Sequence, residues 1–153
     1  MSSNIGVMGH PIGHTKSPIF QQAGLNELGI DETFEAWDVL PEDLEAKVAT
    51  FREKGFIAAC VTLPHKQAVI PMVDELTEAA ESVGAVNWIF NRDGKLIGHN
   101  TDCNGFLRAL KEKAGFDPKG ADAVVFGAGG AARAIVYALK TAGVNRLTIA
   151  NRT

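Results

Sequence analysis

Cysteine is scarce in this chain: Cys60 and Cys103 are the only two in 153 residues. That is too few for a disulfide scaffold, and their separation does not match a metal site. Both are expected as reduced thiols in or near the core. Basic runs are missing as well. Lys and Arg total 15 against 18 Asp and Glu, for a formal net charge of −3. Without a cluster of cations to face phosphates, nucleic acid is not an expected partner. No apolar stretch reaches the length of a membrane span, and Met1-Ser2-Ser3-Asn4 lacks the basic-then-apolar order of a signal peptide. The expected location is therefore the cytoplasm, with no membrane partner. His10, His14, His65 and His99 fall in no H-E-x-x-H pattern, so no metal is expected, and the phosphate loop G-x-x-x-x-G-K-[ST] is absent. Internal repeats and low-complexity segments are absent too.

What remains is a chain with 46% hydrophobic residues, enough for a sizeable core. Its length suits one ordinary domain, or a small domain plus part of another. Ile5-Gly6-Val7-Met8-Gly9 reads as a first strand running into a turn-rich segment that ends Thr15-Lys16-Ser17-Pro18. Ser17 before Pro18 is the pattern of a helix N-cap, with the helix expected to reach Leu28 and stop at Gly29. Thr15 and Ser17 would then lie at a strand's carboxyl end, where hydroxyls can hold a carboxylate or a polyol; for Ser17 alone, capping is the simpler reading.

Residues 33–39 read as a second strand. Pro41 opens a helix with Leu44, Val48 and Phe51 on one face, ended by Gly55. The apolar run 56–63 has the character of a strand covered on both faces of a parallel sheet. It ends in Thr62-Leu63-Pro64-His65-Lys66, which places Lys66 where open α/β sheets hold ligands. Residues 68–83 read as helical, broken near Pro71, with 74–82 as the second piece. Residues 84–90 read as a strand, Asp93-Gly94 as a hairpin turn and 96–98 as the return strand, suggesting an antiparallel edge on a mostly parallel sheet. Asp102 reads as a cap for the helix holding Phe106, Leu107 and Leu110, or as a carboxylate offered to Lys66.

Phe116-Asp117-Pro118-Lys119-Gly120 has the composition of a domain junction. Directly after it, Ala123-Val124-Val125-Phe126-Gly127-Ala128-Gly129-Gly130-Ala131-Ala132-Arg133 reads as strand, tight turn and helix. That is the geometry of a phosphate site: Gly127 allows the turn, Gly129 lets backbone N–H groups approach a pyrophosphate, and Ala132 packs the helix. About 20 residues past such a loop, an acidic residue usually marks NAD. Here Asn151-Arg152 stand in its place, which points to NADP, because a guanidinium pairs with a 2′-phosphate that a carboxylate repels.

In order along the whole chain, several segments resemble the motifs of the shikimate dehydrogenase family. They are Gly9 to Pro18, Val61-Thr62-Leu63-Pro64-His65-Lys66, Gly84-Ala85-Val86-Asn87, Gly98 to Gly105, the loop from Gly127 to Arg133, and Asn151-Arg152-Thr153. The resemblance implies an α/β fold: a three-layer sandwich with a mostly parallel sheet, forming a substrate-binding and catalytic domain over 1–115. The first βαβ unit of a Rossmann-type NADP domain, incomplete, would follow over 120–153. It implies NADP-dependent reduction of 3-dehydroshikimate to shikimate in aromatic amino-acid biosynthesis. Lys66 and Asp102 would be the catalytic pair, Lys66 giving a proton to the ketone oxygen and Asp102 orienting the ring. Thr15 and Ser17 would hold the substrate carboxylate, and Thr62, Asn87 and Asp102 the ring hydroxyls. Gly127, Ala128, Gly129, Gly130, Ala131, Asn151, Arg152 and Thr153 would hold NADP. The partner would be a small ring acid, with a homodimer as one compatible assembly.

The departures from the family pattern bear on the substrate. Thr15 replaces the first serine, Gln21-Gln22 stand where the family has His-Asn, Cys60 replaces an asparagine, and Trp88 replaces a threonine. Quinate or another hydroxylated ring acid is an open alternative to shikimate. The family's chains also continue well past this one, so a truncated, catalytically inert fragment that still binds the ring acid is a further alternative.

Overall fold

The computed structural model describes residues 4–152. Two compact units emerge, and the chain passes between them more than once. The first takes the chain up to Leu76 and again Val86–His99; the second takes Thr77–Ala85 and the chain from Asn100 onward.

The first unit is built on six strands: β1 (Ile5–Gly9), β2 (Phe34–Asp38), β3 (Ala58–Val61), β4 (Glu75–Leu76), β5 (Trp88–Arg92) and β6 (Lys95–His99), in spatial order β2-β1-β3-β5-β6-β4. Helices α1 (Ser17–Glu27) and α2 (Leu44–Thr50) provide the crossovers from β1 to β2 and from β2 to β3. Strand alternation sends Val7 and Phe34 to one face, where Leu25 of α1 packs with them. Trp37 goes to the other face, against Phe51 at the end of α2 with ring centroids 5.7 Å apart. Leu44, Val48 and Phe51 are all buried, as their helical spacing requires.

Two sequence expectations change here. The antiparallel strand is not at an edge: β5 lies inside the sheet, antiparallel to both β3 and β6, while β4 pairs parallel with β6. The β5–β6 hairpin itself forms as read, with Asp93 at φ 54° and Gly94 at φ 84°, the positive pair a two-residue turn demands. The helical reading of 68–83 gives way to a 3₁₀ turn (Ile70–Met72), the short edge strand β4, and only then the helix α3 (Glu78–Val83). Strand pairing overrides the helical pattern because Asp74 is clamped to β6: its N–H donates to Leu96 O at 2.9 Å, and its Oδ2 accepts from Leu96 N at 2.7 Å.

Arg52 completes that clamp, donating to both oxygens of Asp74. The Arg52 hydrogen bonds and the Leu96 N–H hold the Asp74 carboxyl below its ordinary range. A carboxyl depressed on folding stabilises the fold at all pH above its unfolded value, and that contribution disappears as pH falls through the folded value. Asp74→Asn is therefore expected to lower the urea midpoint at neutral pH and to flatten its decline below about pH 4. An unchanged midpoint at neutral pH would contradict the clamp.

Gln22 answers one of the departures. Its Oε1 accepts from Phe34 N at 2.8 Å, and its Nε2 donates to Glu32 O at 3.0 Å and to Asn26 Oδ1 at 2.9 Å. The side chain thus ties α1 to the entry of β2. Gln22→Ala is expected to cost about 1–2 kcal/mol in chemical denaturation, since it leaves partly buried backbone groups unpaired.

The second unit contains α3, α4 (Asp102–Ala114), β7 (Asp122–Phe126), α5 (Gly130–Ala142) and β8 (Arg146–Ala150). β7 and β8 pair in parallel, Asp122 opposite Arg146 and Phe126 opposite Ala150. Val83, Ala85, Cys103, Ala134 and Ala138 form its buried core, with Phe106, Leu107 and Tyr137 against it. The small alanines let α5 approach α3 and α4 closely. Neither cysteine is in a disulfide; Cys60 is half-buried and Cys103 buried, and burial pushes the Cys103 thiol up. No helix of the described residues is long and apolar enough to cross a membrane.

Candidate functional site

In the first unit, the carboxyl ends of β1, β2, β3 and β6 and the amino end of β5 meet at one edge of the sheet. This is the edge at which parallel sheets present ligands. Backbone hydrogen bonds lace it together. Thr62 N donates to Met8 O at 2.9 Å, His10 N to Leu63 O at 3.1 Å, Val39 N to Gly9 O at 3.0 Å, and Val61 N to Asn87 O at 2.8 Å. Gly9 must lack a side chain here, because a Cβ would lie 2.5 Å from Thr62 Cγ2 and 2.8 Å from Leu63 O.

Thr15 and Ser17 follow β1. Ser17 is the first residue of α1 rather than its cap; the cap position is Lys16, which makes no side-chain hydrogen bond. Thr15 performs the capping instead, its Oγ1 accepting from Ser17 N at 3.2 Å while its hydroxyl donates to Ser17 Oγ at 3.2 Å. The two hydroxyls are therefore neighbours, and both are half-buried. Thr62 and Lys66, also half-buried, follow β3. Asn87 is buried, and its N–H donates to His99 O at 2.9 Å. Thus Thr15, Ser17, Thr62, Lys66 and Asn87 all come from this one edge of the first unit.

Asp102 opens α4 in the second unit. It is not the cap either: Thr101 holds that position, and Asp102 N donates to Asn100 Oδ1 at 2.9 Å. Asn100 is wholly buried, and its Nδ2 donates to Ala85 O at 2.9 Å. Sequence reasoning passed over Asn100, although it sits within the same Asn-Thr-Asp motif. It also passed over the exposed pair in which His10 Nδ1 lies 2.9 Å from Asp38 Oδ1, and over buried His65, whose Nε2 lies 2.7 Å from Val39 O. Nothing local signals the His10 and His65 contacts, because their partners are distant in sequence.

The glycine loop joins β7 to α5. Gly127 has φ 109°, which favours glycine, and its N–H donates to Ala150 O at 2.8 Å. Gly129 caps α5 in an extended conformation, without a side-chain hydrogen bond and with no acidic residue in the first turn. Nothing lies within 4 Å of where a Gly129 Cβ would be. Gly130 and Ala131 open the helix, and the N–H groups of a first helical turn have no partner within the helix, a donor set suited to a phosphate. Ala128 is exposed in the same turn. Asn151 and Arg152 are exposed just past β8, and Thr153 lies outside the described residues.

Cys60 and Trp88, two of the departures, are directly opposite each other across β3 and β5. Both pack against the cluster of Val7, Ile12 and Phe34, beneath the segment that carries Thr15.

Known proteins are similar to this chain. The model of the shikimate dehydrogenase substrate binding domain matches residues 7–89, more than half of the chain. The NADP(+) shikimate dehydrogenase of Methanopyrus kandleri is 47% identical over 149 residues, which is 97% of this chain and 51% of the relative. That of Moorella thermoacetica is 49% identical over 149 residues, 97% and 50% respectively. Shikimate 5-dehydrogenase from Thermus thermophilus, solved in complex with NADP(H) and shikimate, aligns with a TM-score of 0.89 and 40% identity, covering 97% of this chain and 56% of that one. The chain spans about half the length of the relatives it matches. It belongs to the shikimate dehydrogenase family.

Proposed function

We propose that this chain carries the substrate site and the first part of the NADP site of a shikimate dehydrogenase. The reaction is the reversible, NADP-dependent reduction of 3-dehydroshikimate to shikimate in aromatic amino-acid (chorismate) biosynthesis. The observation that carries this reading is the convergence of Thr15, Ser17, Thr62, Lys66 and Asn87 on one sheet edge, within or beside the segment that matches the family. The hydroxyls of Thr15 and Ser17 hold the ring carboxylate. Thr62, Asn87 and Asp102 take the ring hydroxyls, a set of directed hydrogen bonds that rejects rings lacking them. When bound, NADPH supplies the hydride that reduces the ketone carbon. Lys66 Nζ gives its proton to the ketone oxygen as negative charge develops there, and Asp102 orients the ring.

For the cofactor, the N-terminus of α5, capped by Gly129 without a side-chain hydrogen bond, suits the pyrophosphate, and Arg152 suits the 2′-phosphate. In this sequence extended to the length of its relatives, Arg152→Glu is expected to weaken NADP by about tenfold or more while leaving NAD little changed. Equal loss for both cofactors would remove the assignment.

The test of the whole reading is calorimetric titration of the chain with shikimate, together with the absorbance of reduced cofactor on mixing with shikimate and NADP. Binding without turnover supports a substrate-binding fragment; turnover shows that the chain suffices; neither outcome contradicts the ring-acid site, whereas no binding does. The apolar pair Cys60–Trp88, standing where the family has two polar residues, favours a second reading in which quinate or another ring acid is preferred. Titration with both acids decides it.

A further inference from the structure

We propose that His65 is a positioning residue that fixes where Lys66 stands, an inference that rests on Lys66 being the proton donor. His65 is 1% exposed, and its Nε2 lies 2.7 Å from Val39 O. A carbonyl only accepts, so Nε2 carries the hydrogen and donates it. The imidazole thereby ties the segment after β3 to the segment after β2, and Val39 N is in turn bonded to Gly9 O at the end of β1. Around it the main chain is held as well: His65 N donates to Thr62 O at 3.0 Å, and His65 O accepts from Val69 N at 3.1 Å. On its other side, Lys66 O accepts from Val86 N at 2.7 Å. The backbone of Lys66 is thus pinned between a buried side-chain bond and the strand-entry residue beside Asn87, which leaves only the lysine's own rotamers to be set. Without the imidazole donor, the Val39 carbonyl loses a partner in a buried place and the 62–66 turn loses its tie to β2. Proton transfer tolerates little misplacement of the donor, so the tie matters to chemistry as well as to stability.

The experiment uses the 153-residue chain, with shikimate as probe and hydrogen exchange of the Val86 amide as a readout that needs no ligand. Three variants are compared. His65→Phe keeps a ring but has no donor; His65→Gln places an amide N–H near the position of Nε2; Val48→Ala truncates the core beneath α2 and serves as a control for lost stability. Relative to Val48→Ala, His65→Phe is expected to weaken shikimate binding and to speed Val86 exchange, each by about tenfold, and His65→Gln to restore both. The inference is overturned if His65→Phe matches Val48→Ala in both readouts, or if His65→Gln is as impaired as His65→Phe. Should the unaltered chain fail to bind shikimate, the substrate reading fails and Val86 exchange alone decides the role of His65.

Discussion

Replacing Lys66 by alanine, in this sequence extended to the length of its relatives, is expected to cut turnover by about 10²–10⁴-fold while the fold persists. The size follows from the chemistry. A ketone gaining hydride develops negative charge on oxygen, and a positioned acid that neutralises it contributes on that scale, whereas one ordinary hydrogen bond to the ring contributes far less. Persistence of the fold follows from geometry. The main chain at this position is held through Lys66 O and Val86 N, and alanine retains that bond. The side chain itself is only half-buried, so its loss opens no large cavity. kcat should fall with little change in melting temperature, and shikimate should still bind through Thr15, Ser17, Thr62 and Asn87. If kcat stays within a few-fold of the unaltered enzyme, the role of Lys66 as proton donor is wrong, whatever the family.

The parts of the fold legible in the sequence were those set by local signals repeated along a segment. β3 was readable because a buried parallel strand is apolar throughout, and α2 because Leu44, Val48 and Phe51 recur at helical spacing. The β5–β6 turn was readable because Asp-Gly tolerates two positive φ values. β4 was not: two residues carry no period, and what holds them is Asp74 reaching β6 across 22 positions. The place of β5 inside the sheet was hidden for the same reason, since strand order is a property of pairing rather than of any one strand. At the site, the motifs single out the residues proposed for the chemistry, but not their supports. Thr15 displaces Ser17 as the cap, Asn100 accepts from Asp102 N at the start of α4, and Gln22 ties α1 to the entry of β2. Each acts through a hydrogen bond between a side chain and the backbone, and polar residues of these kinds are equally at home on a solvated surface.

Gly9→Ala is expected to cost about 3 kcal/mol and to abolish measurable shikimate binding by the chain. The added Cβ would sit 2.5 Å from Thr62 Cγ2, 2.8 Å from Leu63 O and 3.1 Å from Ile12 Cδ1. A threonine methyl can rotate away; the Leu63 carbonyl cannot, because His10 N is bonded to it at 3.1 Å. Relief therefore requires moving Thr62 and Leu63, and with them the turn that leads to Lys66. Gly24 and Gly105 provide the contrast. Both lie within helices, at ordinary φ, with nothing within 4 Å of where an added methyl would stand, so alanine there should stabilise by up to about 1 kcal/mol through helix propensity. Urea denaturation and shikimate titration of the three variants separate the two cases. Should Gly9→Ala bind shikimate like the unaltered chain, the close approach of β1 to the Thr62 turn does not govern the site, and the lacing of the sheet edge serves stability alone.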